Sequence, residues 1–162
     1  MKRLHIIGCH NAGKTTLLLR LVPALRARGL RVGVLKHAPH IHDFEGHGDS
    51  GRFAEAETDF VVLASGAGGA IYLPDITEIN DWEKTLALLF PKTDLLLVEG
   101  YKSSSSTRIE VWHADLTEPP LSTPHEPPLF FVGRQTLLPG ILTLPPDEID
   151  AIAGQIHQWW EG

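Results

Sequence analysis

The residues best suited to do chemistry lie near the start of the chain, in the segment Gly8–Thr15 (GCHNAGKT). This segment matches the phosphate-loop pattern G-x-x-x-x-G-K-[ST] in full. In that pattern the glycines let successive backbone N–H groups turn inward around an anion. The lysine places a positive charge on the β- and γ-phosphates, and the hydroxyl can ligate Mg²⁺. We therefore predict that Lys14 and Thr15 contact a nucleoside triphosphate and its metal ion.

The segment stands where such a loop must stand, between a strand and a helix. Leu4–Ile7 is a short apolar run, and residues 15–28 have helical spacing up to a stop at Gly29. A second strand at 31–36 (RVGVLK) completes a βαβ unit. Because such a unit joins parallel strands through a right-handed crossover, it predicts a parallel sheet.

A phosphate loop that works with magnesium needs an acidic residue at the end of a neighbouring strand. The apolar run 94–99 (DLLLVE) ends in Glu99, and the carboxyl edge of an open α/β sheet carries the ligand site. We predict that Thr15 and Glu99 together hold the metal. Asp49 is a second candidate for orienting water or magnesium, and its rival role is to cap a following helix.

The remaining segments alternate between strand and helix patterns along the whole chain. The predicted fold class is a P-loop NTPase-like, three-layer α/β/α domain over residues 1–162. Its sheet is mainly parallel, with antiparallel strand extension by 59–73 or by the half-exposed 108–112. The further predicted elements are strands at 59–64, 70–73, 108–112 and 129–132 and helices at 50–57, at 80–90 with Asn80 as its cap, and after Asp147 as a cap.

Composition narrows the classes of partner. The chain has 162 residues, a formal net charge of −6 and a single cysteine, Cys9. A protein that coats nucleic acid would be basic, and no apolar stretch approaches the roughly 20 residues that cross a membrane. With one cysteine the chain cannot form an internal disulfide, which favours a reducing compartment. We expect a soluble, cytoplasmic protein that binds neither nucleic acid nor membrane.

A cluster of four histidines, at 37, 40, 42 and 47, raises the question of a metal site. Its spacing matches no standard structural zinc pattern, and Cys9 is the only thiol. A polar, solvated loop near the phosphates is the favoured interpretation, and metal binding by residues 37–47 stays open.

Four motifs occur in a recognisable order along the chain. They are the loop GCHNAGKTTL, Lys36-His37 at the end of the second strand, Gly48-Asp49-Ser50, and LLLVEGYK at 95–102. Together they resemble the molybdopterin-guanine dinucleotide biosynthesis protein B (MobB) family, a family of GTP-binding P-loop proteins. The chain departs from the family at Gly46-His47-Gly48, where a Pro-Gly-Lys sequence with a basic side chain is usual.

The resemblance implies GTP and Mg²⁺ as cofactors, slow GTPase activity and a homodimer. It also implies a molybdenum cofactor guanylyltransferase as partner, and molybdopterin or its guanine dinucleotide as the molecule served. The catalytic candidates are Asp49 and Glu99. With the phosphate-loop pattern, the resemblance gives these nucleotide-binding candidates: Gly8, His10, Asn11, Ala12, Gly13, Lys14, Thr15, Thr16, Lys36, His37 and Lys102.

Two other functions use the same loop. One is a small-molecule kinase that transfers the γ-phosphoryl group, and the other is an interaction module switched by nucleotide. A kinase of this type needs an arginine-bearing lid, and the arginines that follow the first helix, at 31, 52, 108 and 134, form no cluster. The residues alone do not distinguish GTP from ATP, since Pro91-Lys92-Thr93-Asp94 precedes a strand and cannot serve as a base-reading loop.

Overall fold

The computed structural model describes residues 1–36, 60–73, 76, 78–101 and 106–162. The predictions for His37, Asp49, Lys102, the helix at 50–57 and the histidine cluster therefore lie outside the described residues. The chain divides into two compact units, Met1–His37 with Phe90–Gly162, and Ala38–Leu89.

The helices and strands follow one another in a mixed order. In chain order they are β1 (Lys2–Ile7), α1 (Lys14–Ala27), β2 (Val32–Lys36), β3 (Val61–Ser65), β4 (Gly68–Tyr72), α2 (Ile79–Leu89), β5 (Leu95–Glu99), β6 (Arg108–Val111), β7 (Phe131–Val132), β8 (Thr143–Leu144) and α3 (Ile149–Glu161).

The larger unit is built on a six-stranded sheet in the order β2-β5-β1-β6-β7-β8. All of its strand pairs are parallel, which confirms the predicted fold class of a mainly parallel sheet with helices. The predicted antiparallel pair is also present, as β3 and β4, but it forms a two-stranded sheet of its own. The prediction that the strand at 108–112 is half-exposed is wrong. Strand β6 is an inner strand between β1 and β7, and Ile109, Glu110 and Val111 are all buried.

Apolar periodicity in the two helices of this unit explains its core. Helix α1 buries four leucines at helical spacing, from Leu17 to Leu25, and α3 buries Ile152 and Ile156. Both sets pack in one cluster with the buried strand residues Leu4 and Leu97 and their neighbours. Because residues of β1 and β5 belong to this cluster, it anchors the two strands that lead to the phosphate loop and to Glu99.

One of the three helix ends predicted from the sequence is confirmed, and the other two predictions are wrong. Gly29, with φ +88°, ends α1 by donating to the Arg26 carbonyl. Asp147 does not cap α3, whose cap is Glu148; its carboxylate accepts instead from Arg134 at 2.7 Å. Asn80 does not cap α2 either, because that helix already begins at Ile79.

Within the described ranges, every helix is too short or too polar to cross a membrane.

Candidate functional site

The phosphate-loop segment joins the end of β1 to the start of α1, as the sequence predicts. Two glycines and one asparagine in it have positive φ: Gly8 at +146°, Asn11 at +60° and Gly13 at +88°. Such angles are easily adopted by glycine and tolerated by asparagine. The Gly13 carbonyl then accepts from Leu17 N–H at 2.9 Å, so the loop leads directly into the first turn of the helix.

Position 8 requires a glycine for lack of space as well as for its positive φ. A Cβ atom at this position would lie 2.4 Å from the carbonyl oxygen of Val111, at the end of β6. The start of the loop is therefore pressed against the adjacent strand, and any side chain here would force the two apart.

Lys14 reaches back across the loop that precedes it. Its ammonium donates to the carbonyls of Gly8 at 3.1 Å and Cys9 at 2.7 Å, and the residue is half-buried. These carbonyls hold the positive charge beside the inward-turning backbone of the loop. The same charge lies next to the N-terminus of α1, where the helix dipole also favours an anion.

Thr15, Glu99 and Lys36 meet at the carboxyl edge of the sheet. In the parallel ladders Glu99 stands beside Ile6 of β1 on one side and beside Lys36 of β2 on the other. The Thr15 hydroxyl donates to Glu99 Oε1 at 2.7 Å, and Lys36 Nζ donates to Thr15 Oγ1 at 3.3 Å. Lys36 Nζ is also 3.7 Å from Glu99 Oε2. The rule that parallel strands deliver their ends to one edge thus explains a contact between residues 84 positions apart.

The donor atoms at this edge suit magnesium. A hydroxyl and a carboxylate are hard oxygen ligands, and Mg²⁺ usually takes only one or two carboxylates, completing its shell with water and phosphate. Glu99 is 8% exposed, so its charge needs a cation or hydrogen-bond donors nearby. Across the residues that the structure describes, no three His, Cys, Asp or Glu side chains group into a metal site. The metal-binding roles of Thr15 and Glu99 stay predictions.

The other residues of the loop differ in exposure. His10, Asn11 and Thr16 are exposed, whereas Ala12 is buried. Cys9 is 2% exposed. The structure therefore brings together Gly8, Lys14, Thr15, Lys36 and Glu99, while His37, Asp49 and Lys102 lie outside the described part of the chain.

Glu110 is a residue whose contacts the sequence analysis missed. Its fully buried carboxylate accepts from the N–H groups of Leu121 at 2.6 Å and Ser122 at 2.8 Å. This bond pair ties a proline-rich segment to β6, beside the phosphate loop, where the Cys9 thiol donates to the Pro119 carbonyl at 3.8 Å. The sequence carried one signal of these contacts. Glu110 is a single acidic residue between the apolar residues Ile109 and Val111, just as Glu99 is the single acidic residue of the apolar strand β5.

Glu110→Gln is expected to lower the free energy of unfolding by about 1.5–3 kcal/mol, because one accepting oxygen is replaced by an amide that faces a backbone N–H. Denaturant unfolding measures this loss. Thiol labelling of Cys9, the only cysteine, should also become faster as the segment beside it loosens.

Glu118→Gln is the matched control, since Glu118 is exposed in the same proline-rich segment. Substitutions at exposed positions usually change the free energy of unfolding by less than about 0.5 kcal/mol. Equal stability and equal labelling rates in the two variants would show that Glu110 does not hold the segment in place.

Comparison with known proteins identifies relatives over most of the chain. The family model described as "Molybdopterin guanine dinucleotide synthesis protein B", MobB, matches residues 3–132. The molybdopterin-guanine dinucleotide biosynthesis adapter protein of Haemophilus influenzae is 38% identical over 120 residues, which are 72% of this chain and 66% of that protein. The Escherichia coli protein of the same name is 40% identical over 105 residues, 60% of this chain and 57% of that protein. Each match spans just under two thirds of the relative's length, or less.

Solved structures extend the likeness to the whole fold. A crystal structure of molybdopterin-guanine biosynthesis protein B is 26% identical, with a TM-score of 0.70 over 99% of both chains. A MobB homologue from Bacillus stearothermophilus is 17% identical, with a TM-score of 0.68 over 99% of both chains. The second likeness supports the fold alone.

Proposed function

This chain belongs to the molybdopterin guanine dinucleotide synthesis protein B (MobB) family, and we propose that it is a GTP-binding accessory protein in the synthesis of that guanylylated cofactor. The observation that carries the proposal is the meeting of Lys14, Thr15 and Glu99 where β1 and β5 end. A cation, a hydroxyl and a carboxylate in this arrangement are the groups that bind a magnesium nucleotide.

Each of these residues has a distinct task in the proposed complex. Lys14, beside the N-terminus of α1, binds β- and γ-phosphate oxygens. Thr15 and Glu99 would hold Mg²⁺, which supplies neutralising charge to the phosphates when bound. Thr16, His37 and Lys102 are proposed as further nucleotide contacts, the last two because of their place in the family motifs.

Hydrolysis is proposed to be slow. The described groups of the site position phosphates, and positioning alone leaves the attacking water unactivated. Asp49 is the candidate for orienting that water, by its place in the family's acidic segment. We propose a guanylyltransferase of the molybdenum cofactor as the partner, molybdopterin or its guanine dinucleotide as the molecule served, and a homodimer as the working form. The single cysteine favours a reducing compartment, the cytoplasm.

Calorimetric titration with Mg²⁺ present is expected to show GTP binding at least about tenfold tighter than ATP. A site that hydrogen-bonds the guanine edge leaves its polar groups unpaired against adenine, and such sites discriminate strongly. Release of phosphate from GTP should be slow and should not depend on a small-molecule acceptor. ATP binding as tight as GTP, with phosphate transfer to an added acceptor, would instead identify a kinase.

A further inference from the structure

Lys36 places its ammonium group against the two side chains proposed to hold magnesium. Its Nζ atom is 3.3 Å from Thr15 Oγ1 and 3.7 Å from Glu99 Oε2. The parallel register of β2 and β5 sets Lys36 directly beside Glu99, so this approach follows from the sheet itself.

The hydroxyl of Thr15 shows why this position matters. A hydroxyl has one proton to donate and two lone pairs that accept. The Thr15 proton is directed to Glu99 Oε1 at 2.7 Å, and Lys36 approaches Oγ1 from its accepting side. A magnesium ligand bond, of about 2.0–2.1 Å, would use the same accepting side of the oxygen. Two cations that share these oxygens repel each other.

We propose that Lys36 competes with Mg²⁺ for Thr15 and Glu99, so that the metal binds well only when a nucleotide supplies further oxygen ligands. The inference rests on the proposed function, because it takes that metal site as its premise. In this arrangement the ammonium neutralises Glu99 and withdraws when the metal is bound.

Exposure shows which of the two partners is free to move. The Lys36 side chain is 55% exposed, whereas that of Glu99 is 10% exposed. A lysine ammonium on a flexible four-carbon stem can swing into solvent or toward a phosphate. Glu99 is held in the sheet and stays in place. Lys36 is therefore the member of the pair that yields.

A purely structural ion pair makes a different prediction. The melting temperature does not separate the two interpretations, because under either of them removal of the ammonium leaves the mostly buried Glu99 carboxylate with the Thr15 hydroxyl as its described donor. The affinity of the nucleotide-free protein for a divalent cation separates the two. Only competition makes that affinity rise when the ammonium is removed.

The test measures Mn²⁺ binding to the nucleotide-free chain of 162 residues from the electron paramagnetic resonance signal of the free ion. Lys36→Met and Lys36→Gln are each expected to tighten Mn²⁺ binding at least about fivefold, because a competing charge is gone. Lys36→Arg, which keeps the charge, should stay near wild type. Lys2→Met is the control, since Lys2 lies at the opposite end of β1 with its Nζ on the Trp159 carbonyl.

A double variant tests whether the gain comes from the shared oxygen. Adding Thr15→Val to Lys36→Met should reduce the gain, because one of the two side chains for which metal and ammonium compete is removed while Glu99 remains. Unchanged Mn²⁺ affinity in both neutral Lys36 variants would overturn the inference. So would a gain that Thr15→Val leaves undiminished or that Lys2→Met reproduces.

The same measurements separate this inference from the proposed function. Mn²⁺ binding is read without nucleotide, whereas the proposed function is read from GTP titration. Normal GTP binding with unchanged Mn²⁺ affinity in the Lys36 variants would overturn the inference alone. A fivefold gain in Mn²⁺ affinity in a chain that binds no GTP would support the competition and overturn the proposed function.

Discussion

Lys14→Ala is expected to weaken GTP binding at least about 100-fold, which corresponds to about 2.8 kcal/mol. The Lys14 side chain crosses the phosphate loop, and its ammonium donates to the carbonyls of Gly8 and Cys9. Its removal deletes charge-assisted hydrogen bonds to phosphate, which are among the strongest in proteins. It removes no apolar packing, so the melting temperature should stay close to that of wild type. Calorimetric titration and thermal unfolding of the same samples measure both quantities.

Lys92→Ala is the matched control for this experiment. Lys92 is an exposed lysine of the same unit, and because it precedes β5 it lies at the amino edge of the sheet. Its loss lowers the net charge by the same amount without touching the loop. GTP affinity should be unchanged in this variant. Equal affinity in Lys14→Ala and wild type would contradict nucleotide binding by the phosphate loop.

The part of the site that the sequence predicts is the part encoded by local spacing. Gly8, Gly13, Lys14 and Thr15 lie within one loop, and the conformation that they adopt depends on their own φ angles and on the flanking strand and helix. The contact of Thr15 with Glu99 is distant in sequence. It was still predictable, because an apolar run that ends in one carboxylate has a definite place at the edge of a parallel sheet.

Contacts that depend on strand neighbours could not be predicted in the same way. Alternation in 108–112 suggested one exposed face, yet β6 is an inner strand of the sheet and buries successive residues, which therefore lie on both of its faces. The buried charge of Glu110 is satisfied by amides of Leu121 and Ser122, which only the folded loop brings near. The alternation of polar and apolar residues predicts which side chains share a face of a strand. It does not predict that a later segment of the chain will donate hydrogen bonds to one of them.

The helix caps show a second limit of local patterns. Asp147 and Asn80 have the residue types that cap helices, and each stands close to a helix start. In the fold Asp147 pairs with Arg134, and Asn80 falls within the first turn of α2. A tertiary ion pair, or a shift of the helix start by less than one turn, changes the role of such a residue.

Lys36 shows how the structure refines an assignment that came only from a resemblance. The family motif places it among nucleotide-binding residues, with no indication of which group it contacts. Its position opposite Glu99 in the parallel ladder, and its bond to Thr15, connect it instead to the two residues proposed to hold the metal. A residue can serve both purposes in turn, because an ammonium displaced from Glu99 is free to meet a phosphate.

Glu99→Gln is expected to slow magnesium-dependent GTP hydrolysis about 100-fold, a loss comparable to that of one catalytic electrostatic contact. Nucleotide binding without metal should change less than about threefold. Glutamine keeps the shape of the side chain and can still accept from the Thr15 hydroxyl, so the change removes the charge and little else. Phosphate release at increasing Mg²⁺ concentrations, with fluorescent GTP binding in chelator, measures the two effects. Glu126→Gln is the control, because it removes an exposed carboxylate from the same unit.

The split between the two readouts is what assigns a role to Glu99. If the carboxylate merely ended a buried strand, its neutralisation would affect neither readout, since Lys36 is largely exposed and easily resolvated. If it positioned the loop, both readouts would fall together. Only a carboxylate that acts through the metal lowers magnesium-dependent hydrolysis while it spares metal-free binding. Unchanged hydrolysis and magnesium dependence in Glu99→Gln would therefore transfer the metal-binding role to Asp49, the other carboxylate that the sequence predicts near the phosphates.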